Sequence, residues 1–99
     1  MIYVVDIDGT ICNSPVINGK NDYANATPLI ETIKKVNDLY DQGHTIHYWT
    51  ARGGNTGLDW TDVTRAQLEH WGCKCHSFKT GKPAYDVWID DKAINARDF

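Results

Sequence analysis

The heptapeptide "VVDIDGT", residues 4–10, sets an apolar, β-branched run directly against two aspartates and a glycine. The run belongs to "IYVVDI", residues 2–7, whose nearly unbroken apolar character is that of a strand buried on both faces of a parallel sheet. Aspartate is depleted in such strands, so Asp6 and Asp8 mark where this one ends. Open parallel sheets bind ligands beyond the carboxyl ends of their strands. A regular strand would hold residues i and i+2 about 6.6 Å apart. Gly9 and Thr10 indicate that the chain turns just there, which frees Asp8 to lean over whatever Asp6 touches.

The remaining pattern extends this start into alternating strands and helices. Residues 11–26 collect Asn, Ser, Gly, Pro and Asp without a helical or strand period and read as a long flap loop. A helix is expected from Thr27 as N-cap with Pro28 at the first helical position, carrying Leu29, Ile33, Val36 and Tyr40 on one face and ending at Gly43. "HTIHYWT", residues 44–50, is a second strand, and "ARGGNTG", residues 51–57, is a glycine-rich turn. From about Asp59 to Trp71, Trp60, Val63, Thr64, Leu68 and Trp71 share one helical arc, with Gly72 as the stop. "KCHSF", residues 74–78, and "DVWID", residues 86–90, are expected as a third and a fourth strand, followed by a short helix from Lys92. Such alternation implies βαβ units, hence an α/β fold with a parallel sheet and right-handed crossovers.

With 99 residues, the chain is expected to form a single domain, residues 1–99. Its 41% hydrophobic and 23% charged residues are those of a globular protein. A net charge of −3 speaks against coating nucleic acid, which calls for surplus lysine and arginine. The three cysteines, Cys12, Cys73 and Cys75, leave at least one unpaired, and no apolar run reaches membrane-spanning length. The expectation is a cytoplasmic protein with no membrane contact.

The polar residues that follow each strand define the expected site. Asp6 and Asp8 follow the first, Thr50 and Arg52 the second, Lys79 and Lys82 the third, and Asp90 and Asp91 close the fourth. Two negative charges about 4 Å apart repel by about 4 kcal/mol at an effective dielectric of roughly 20, so clustered aspartates need a cation among them. All-oxygen ligation with few carboxylates suits Mg²⁺, which takes its remaining ligands from water and a phosphate substrate. Lys82 and the Thr50 hydroxyl suit phosphoryl oxygens.

"DIDGT", a strand ending in "WT", then "GKP" and "IDD", in that order, resembles the four motifs of the haloacid dehalogenase superfamily of phosphohydrolases over nearly the whole chain. "WTARGGNTGLDWTDVTRAQLEHWG" with "GKPAYDVWIDDKA" resembles its small capless members associated with capsule or polysaccharide biosynthesis. The resemblance implies a three-layer, Rossmann-like doubly wound sheet, a minimal core without a cap domain. It implies Asp6 as the nucleophile that forms an aspartyl-phosphate and Asp8 as general acid and base. Thr50, Lys82, Arg52 and Gly9 would meet the phosphate or substrate. Mg²⁺ would be held by Asp6, the backbone carbonyl of Asp8 and Asp90, with Asp91 acting directly or through water. The implied reaction is Mg²⁺-dependent hydrolysis of a small sugar or polyol phosphate.

The same motif order is shared by polynucleotide-end phosphatases, so a nucleotide or polynucleotide-end substrate is the alternative hydrolase reading. A non-catalytic Mg²⁺-binding or phospho-receiver-like module is the alternative of another class. Without a cap, the site would stand open to bulky substrates or be covered by another subunit of a homo-oligomer. His70, Cys73, Cys75 and His76 match no familiar zinc spacing. Trp49, Trp60, Trp71 and Trp88 fall on positions expected for packing rather than for stacking a ligand.

Overall fold

The computed structural model describes residues 1–54 and 57–99. Of the expected glycine-rich turn, Asn55 and Thr56 lie outside the described residues. In chain order the elements are β1 (Ile2–Val5), β2 (Cys12–Asn13), β3 (Val16–Ile17), β4 (Lys20–Asn21), β5 (Thr27–Pro28), α1 (Ile30–Asp41), β6 (Thr45–Trp49), α2 (Thr61–His70) and β7 (Ser77–Lys79). Single 3₁₀ turns occur at Tyr23–Asn25 and Ala96–Asp98. β1, β6 and β7 form one parallel sheet in that order, with Val5 opposite Tyr48 and Trp49 opposite Lys79. The fold is therefore a small α/β domain.

Both helices are shaped by what they bury. Ile33 and Val36 of α1 and Leu68 of α2 meet Ile46 and Tyr48 of β6 in one core with Ile7, Ile11 and Cys12. α1 and α2 end in the same way: the amides of Gly43 and His44 donate to the carbonyls of Tyr40 and Leu39, and those of Gly72 and Cys73 to Glu69 and Leu68. This Schellman arrangement satisfies the last free carbonyls and turns the chain straight into the following segment. No described helix is long and apolar enough to cross a membrane.

Several expectations are corrected. Thr27 and Pro28 do not start α1; they pair with Asn13 and Cys12, and Leu29 is the N-cap. A residue before proline favours extended backbone, and the Leu29 amide is claimed by the Ile11 carbonyl at 2.8 Å, so tertiary pairing overrides the local helix signal. The flap contains a hairpin, β3 to β4, across Asn18 and Gly19, both at positive φ. Asn-Gly is the pair that such a tight turn favours. The terminal helix is only the 3₁₀ turn at Ala96–Asp98.

Among the described residues the expected fourth strand does not form. Residues 83–95 are exposed and form no strand. β1 is accordingly open on one face, with Ile2 and Val4 exposed while Tyr3 and Val5 pack against the core. The cause lies upstream: the Lys82 amide is tied to the Thr50 carbonyl at 3.0 Å, at the carboxyl end of the sheet. Four Cα steps from Lys82 to Asp86 reach about 14 Å at most. Running back along a four-residue strand takes about 13 Å before any sideways step.

One-sided burial has a measurable consequence. Ile46→Ala is expected to lower unfolding free energy by about 2–5 kcal/mol in urea titrations, whereas Val4→Ala should cost less than about 0.5 kcal/mol. Equal losses at the two positions would contradict the open face.

Candidate functional site

The ends of β1, β6 and β7 bring five of the expected residues to one edge of the sheet. After β1, the amides of Thr10 and Ile11 both donate to the Ile7 carbonyl, and Gly9 stands at φ 80°. This turn buries Ile7 and leaves Asp6 and Asp8 on either side of it partly exposed. After β6, the Thr50 peptide is bracketed: its amide donates to Lys79 and its carbonyl accepts from Lys82. That bracket folds the Lys82 side chain inward, its Nζ 3.1 Å from Asp6 Oδ1. Lys79 stays exposed at the end of β7, so Lys82 is the lysine of the site.

The two aspartates are treated differently. Arg52 grips Asp8 with both arms of its guanidinium, Nε donating to Oδ2 and Nη2 to Oδ1, each at 3.0 Å. Ser14 Oγ donates to Asp8 Oδ1 at 2.8 Å, and Thr50 Oγ1 to Oδ2 at 3.4 Å. Burial alone would raise the Asp8 carboxyl. The hydrogen bonds and charge of Arg52, helped by Ser14 and Cys12, outweigh it and hold Asp8 below the usual carboxylate range. Burial and the neighbouring Asp8 charge push the Cys12 thiol up to about 12, which keeps it neutral. Asp6 has only Lys82 as an ion-pair partner among the described residues, and its side chain is 36% exposed against 27% for Asp8.

Arg52 and Thr50 sit deeper than a residue reaching for substrate would. The Arg52 side chain has no exposed surface. Its Nη1 donates to Thr64 Oγ1 and Gln67 Oε1, and the Tyr23 ring lies 4.9 Å from its carbon. It is a buried brace beneath Asp8, where the expectation was a residue that meets substrate. Thr50 is 1% exposed, with its hydroxyl already shared between Asp8 and the Arg52 amide. No feature of the sequence marked Ser14, Thr64 or Gln67 as members of this network.

Asp90 and Asp91 do not join the other pair. Asp90 accepts from the Lys92 amide and from the Trp88 indole, and these bonds lower its pKa; Asp91 is exposed. Among the described residues no three carboxylate, histidine or cysteine groups are gathered as a metal ion would need. The two doublets nonetheless lie at the same end of the molecule. Lys82 Nζ, beside Asp6, is also 5.8 Å from the Trp88 ring whose indole reaches Asp90. The cations that relieve the crowding of Asp6 and Asp8 here are Lys82 and Arg52.

No family model matches the sequence, and no curated protein matches it. The fold is similar to that of a structural-genomics crystal structure from Vibrio cholerae, with a TM-score of 0.81 and 24% identity over 98% of this chain and 85% of that one. That likeness concerns the fold.

The brace predicts a pH-dependent deficit. Asp8→Asn, which strands the buried Arg52 charge, should cost about 3 kcal/mol near neutral pH. Because the folded pKa of Asp8 is depressed, its stabilisation is full above the unfolded value of about 3.9 and is lost as pH falls through the folded one. Urea midpoints of the variant and the parent should therefore converge at strongly acidic pH; a constant gap would contradict the assignment.

Proposed function

We propose that the chain is a phosphomonoester hydrolase of haloacid dehalogenase type that works through an aspartyl-phosphate on Asp6. The observation that carries this reading is the unequal treatment of the two aspartates. Asp8 has both oxygens engaged by a buried arginine, while Asp6 keeps an accessible carboxylate beside the ammonium of Lys82. An attacking group must be open; a group that handles protons must be held in place.

In the first half-reaction an Asp6 oxygen bonds to phosphorus, the bond from phosphorus to the ester oxygen breaks, and that oxygen leaves with the proton of a protonated Asp8. In the second, water attacks phosphorus, the Asp6 carboxylate departs, and Asp8 takes the proton from the water. Lys82 offsets charge on the phosphoryl oxygens in both. Asp8, held ionised by Arg52, suits the second step as it stands. Its expected service as an acid in the first requires protonation against that grip. Gly9 lies in the turn after β1, and Thr50, after β6, positions Asp8 through its hydroxyl.

Mg²⁺ belongs to the same reading, and would add positive charge opposite the phosphate. The carboxylate chemistry suits it, but Asp6, the Asp8 carbonyl, Asp90 and Asp91 do not form a gathered set as they stand. Asp90 and Asp91 would complete the ligand set on approaching Asp6. A doubly wound, three-layer sheet is the fold that the resemblance implies for such a hydrolase. The proposed substrate is a small sugar or polyol phosphate, with surface-polysaccharide synthesis as the setting the resemblance suggests and the cytoplasm as the compartment. A second subunit covering the open site is part of the same picture.

Turnover of a phosphate-ester panel, followed by phosphate release with and without Mg²⁺, tests the reading. Asp6→Asn should lose more than about a thousandfold in kcat and Lys82→Met about a hundredfold. Retained turnover in Asp6→Asn would overturn it. Addition of Mg²⁺ should slow amide hydrogen exchange at residues 90–91; unchanged exchange would contradict their approach to Asp6.

A further inference from the structure

Beside the Asp6–Lys82 pair stands an aromatic corner that the proposed chemistry does not use. Lys82 Nζ lies 6.0, 5.3 and 5.8 Å from the ring centres of Trp49, Tyr85 and Trp88. Trp88 meets Trp49 at 85° and Tyr85 at 61°, edge to face in both cases. Trp49 is half-buried, but Tyr85 and Trp88 are 47% and 46% exposed. Two large rings left that open would ordinarily be covered by the core.

The corner has polar groups along its rim. Trp88 donates its indole N–H to Asp90, Asp91 stands next to Asp90, and Asp86 is exposed between the two rings in sequence. Apolar ring faces flanked by carboxylates match a molecule with C–H faces and hydroxyl edges: the faces lie on the rings and the hydroxyls donate to the carboxylates. A nucleobase would favour a parallel slot, and these rings stand across one another. Further phosphates would meet carboxylates.

We infer that Tyr85 and Trp88 form the platform for the ring of a cyclic polyol monophosphate whose phosphate lies at Asp6 and Lys82. The inference rests on the reading of Asp6 and Lys82 as the phosphate site. Tyr85 and Trp88 are thus specificity-determining residues that hold the organic part of the ester.

The test uses the full chain with Trp88→Ala and, separately, Tyr85→Ala; both side chains are exposed, and circular dichroism checks that each variant folds. KM and kcat are measured for a hexose monophosphate, methyl phosphate and a nucleoside monophosphate, and affinities for the same esters and for inorganic phosphate by calorimetry on the Asp6→Asn background. Each variant should raise the KM for the hexose phosphate about fivefold, leaving methyl phosphate and inorganic phosphate within about twofold. Equal effects on methyl phosphate would overturn the platform, and a larger effect on the nucleoside phosphate would overturn the class. If the parent chain hydrolyses nothing, calorimetry still decides. Tighter binding of hexose phosphate than of methyl phosphate, lost in Trp88→Ala, would support the platform while the hydrolase reading fell; no such preference would overturn the platform.

Discussion

The buried guanidinium of Arg52 holds the working edge of the molecule together. Two of its nitrogens take both oxygens of Asp8 after β1; a third reaches Thr64 and Gln67 on α2. Gln67 passes the connection on, donating to the Tyr23 carbonyl in the flap at 2.6 Å, while the Tyr23 ring stacks near the guanidinium. A single side chain from the end of β6 thus ties together β1, α2 and the flap. A buried ion pair contributes little net stability of its own, yet losing one partner is costly because the other charge is left without water. Such a pair fixes geometry, and the geometry it fixes is that of Asp8.

Fixing Asp8 makes Asp6 different. The two residues share a turn and a sequence environment, and sequence symmetry would give them similar chemistry. Arg52 commits one, and the bracketed Thr50 peptide delivers Lys82 to the other. The pair becomes one guarded carboxylate and one open carboxylate. Environments that push two acids apart are how a site assigns separate roles to identical side chains. The sheet contributes by placing three strand ends side by side; the chemistry is set by which cation each aspartate meets.

Much of this was legible in the sequence where local and tertiary preferences agree. The apolar runs of β1 and β6 and the glycine stops of α1 and α2 stand where periodicity put them, and the strand ends gather Asp6, Asp8, Thr50 and Lys82 as the α/β reading requires. Failures came where a distant partner decided. Thr27 and Pro28 looked like a helix start until Cys12 and Asn13 paired with them. "DVWID" has the composition of a strand, but Lys82 is pinned too close to its beginning for a parallel return. Arg52 was expected beside the substrate, and nothing in the chain announced that Asp8, Thr64 and Gln67 would converge on it. Asn18-Gly19, by contrast, was a readable hairpin signal inside a stretch taken as a plain loop. The reading of Trp88 as packing missed its exposure for the same reason as the strand: residues 83–95 do not pair with β1.

The division of labour between the aspartates is tested most directly by finding which one carries the phosphoryl group. The protein would be mixed with a substrate ester, quenched during turnover, treated with borohydride to reduce any acyl phosphate, digested and mapped by mass spectrometry. The account predicts reduction at Asp6 alone, with Asp8 unmodified. A phosphoryl group on Asp8, or turnover with neither aspartate modified at any quench time, would contradict it.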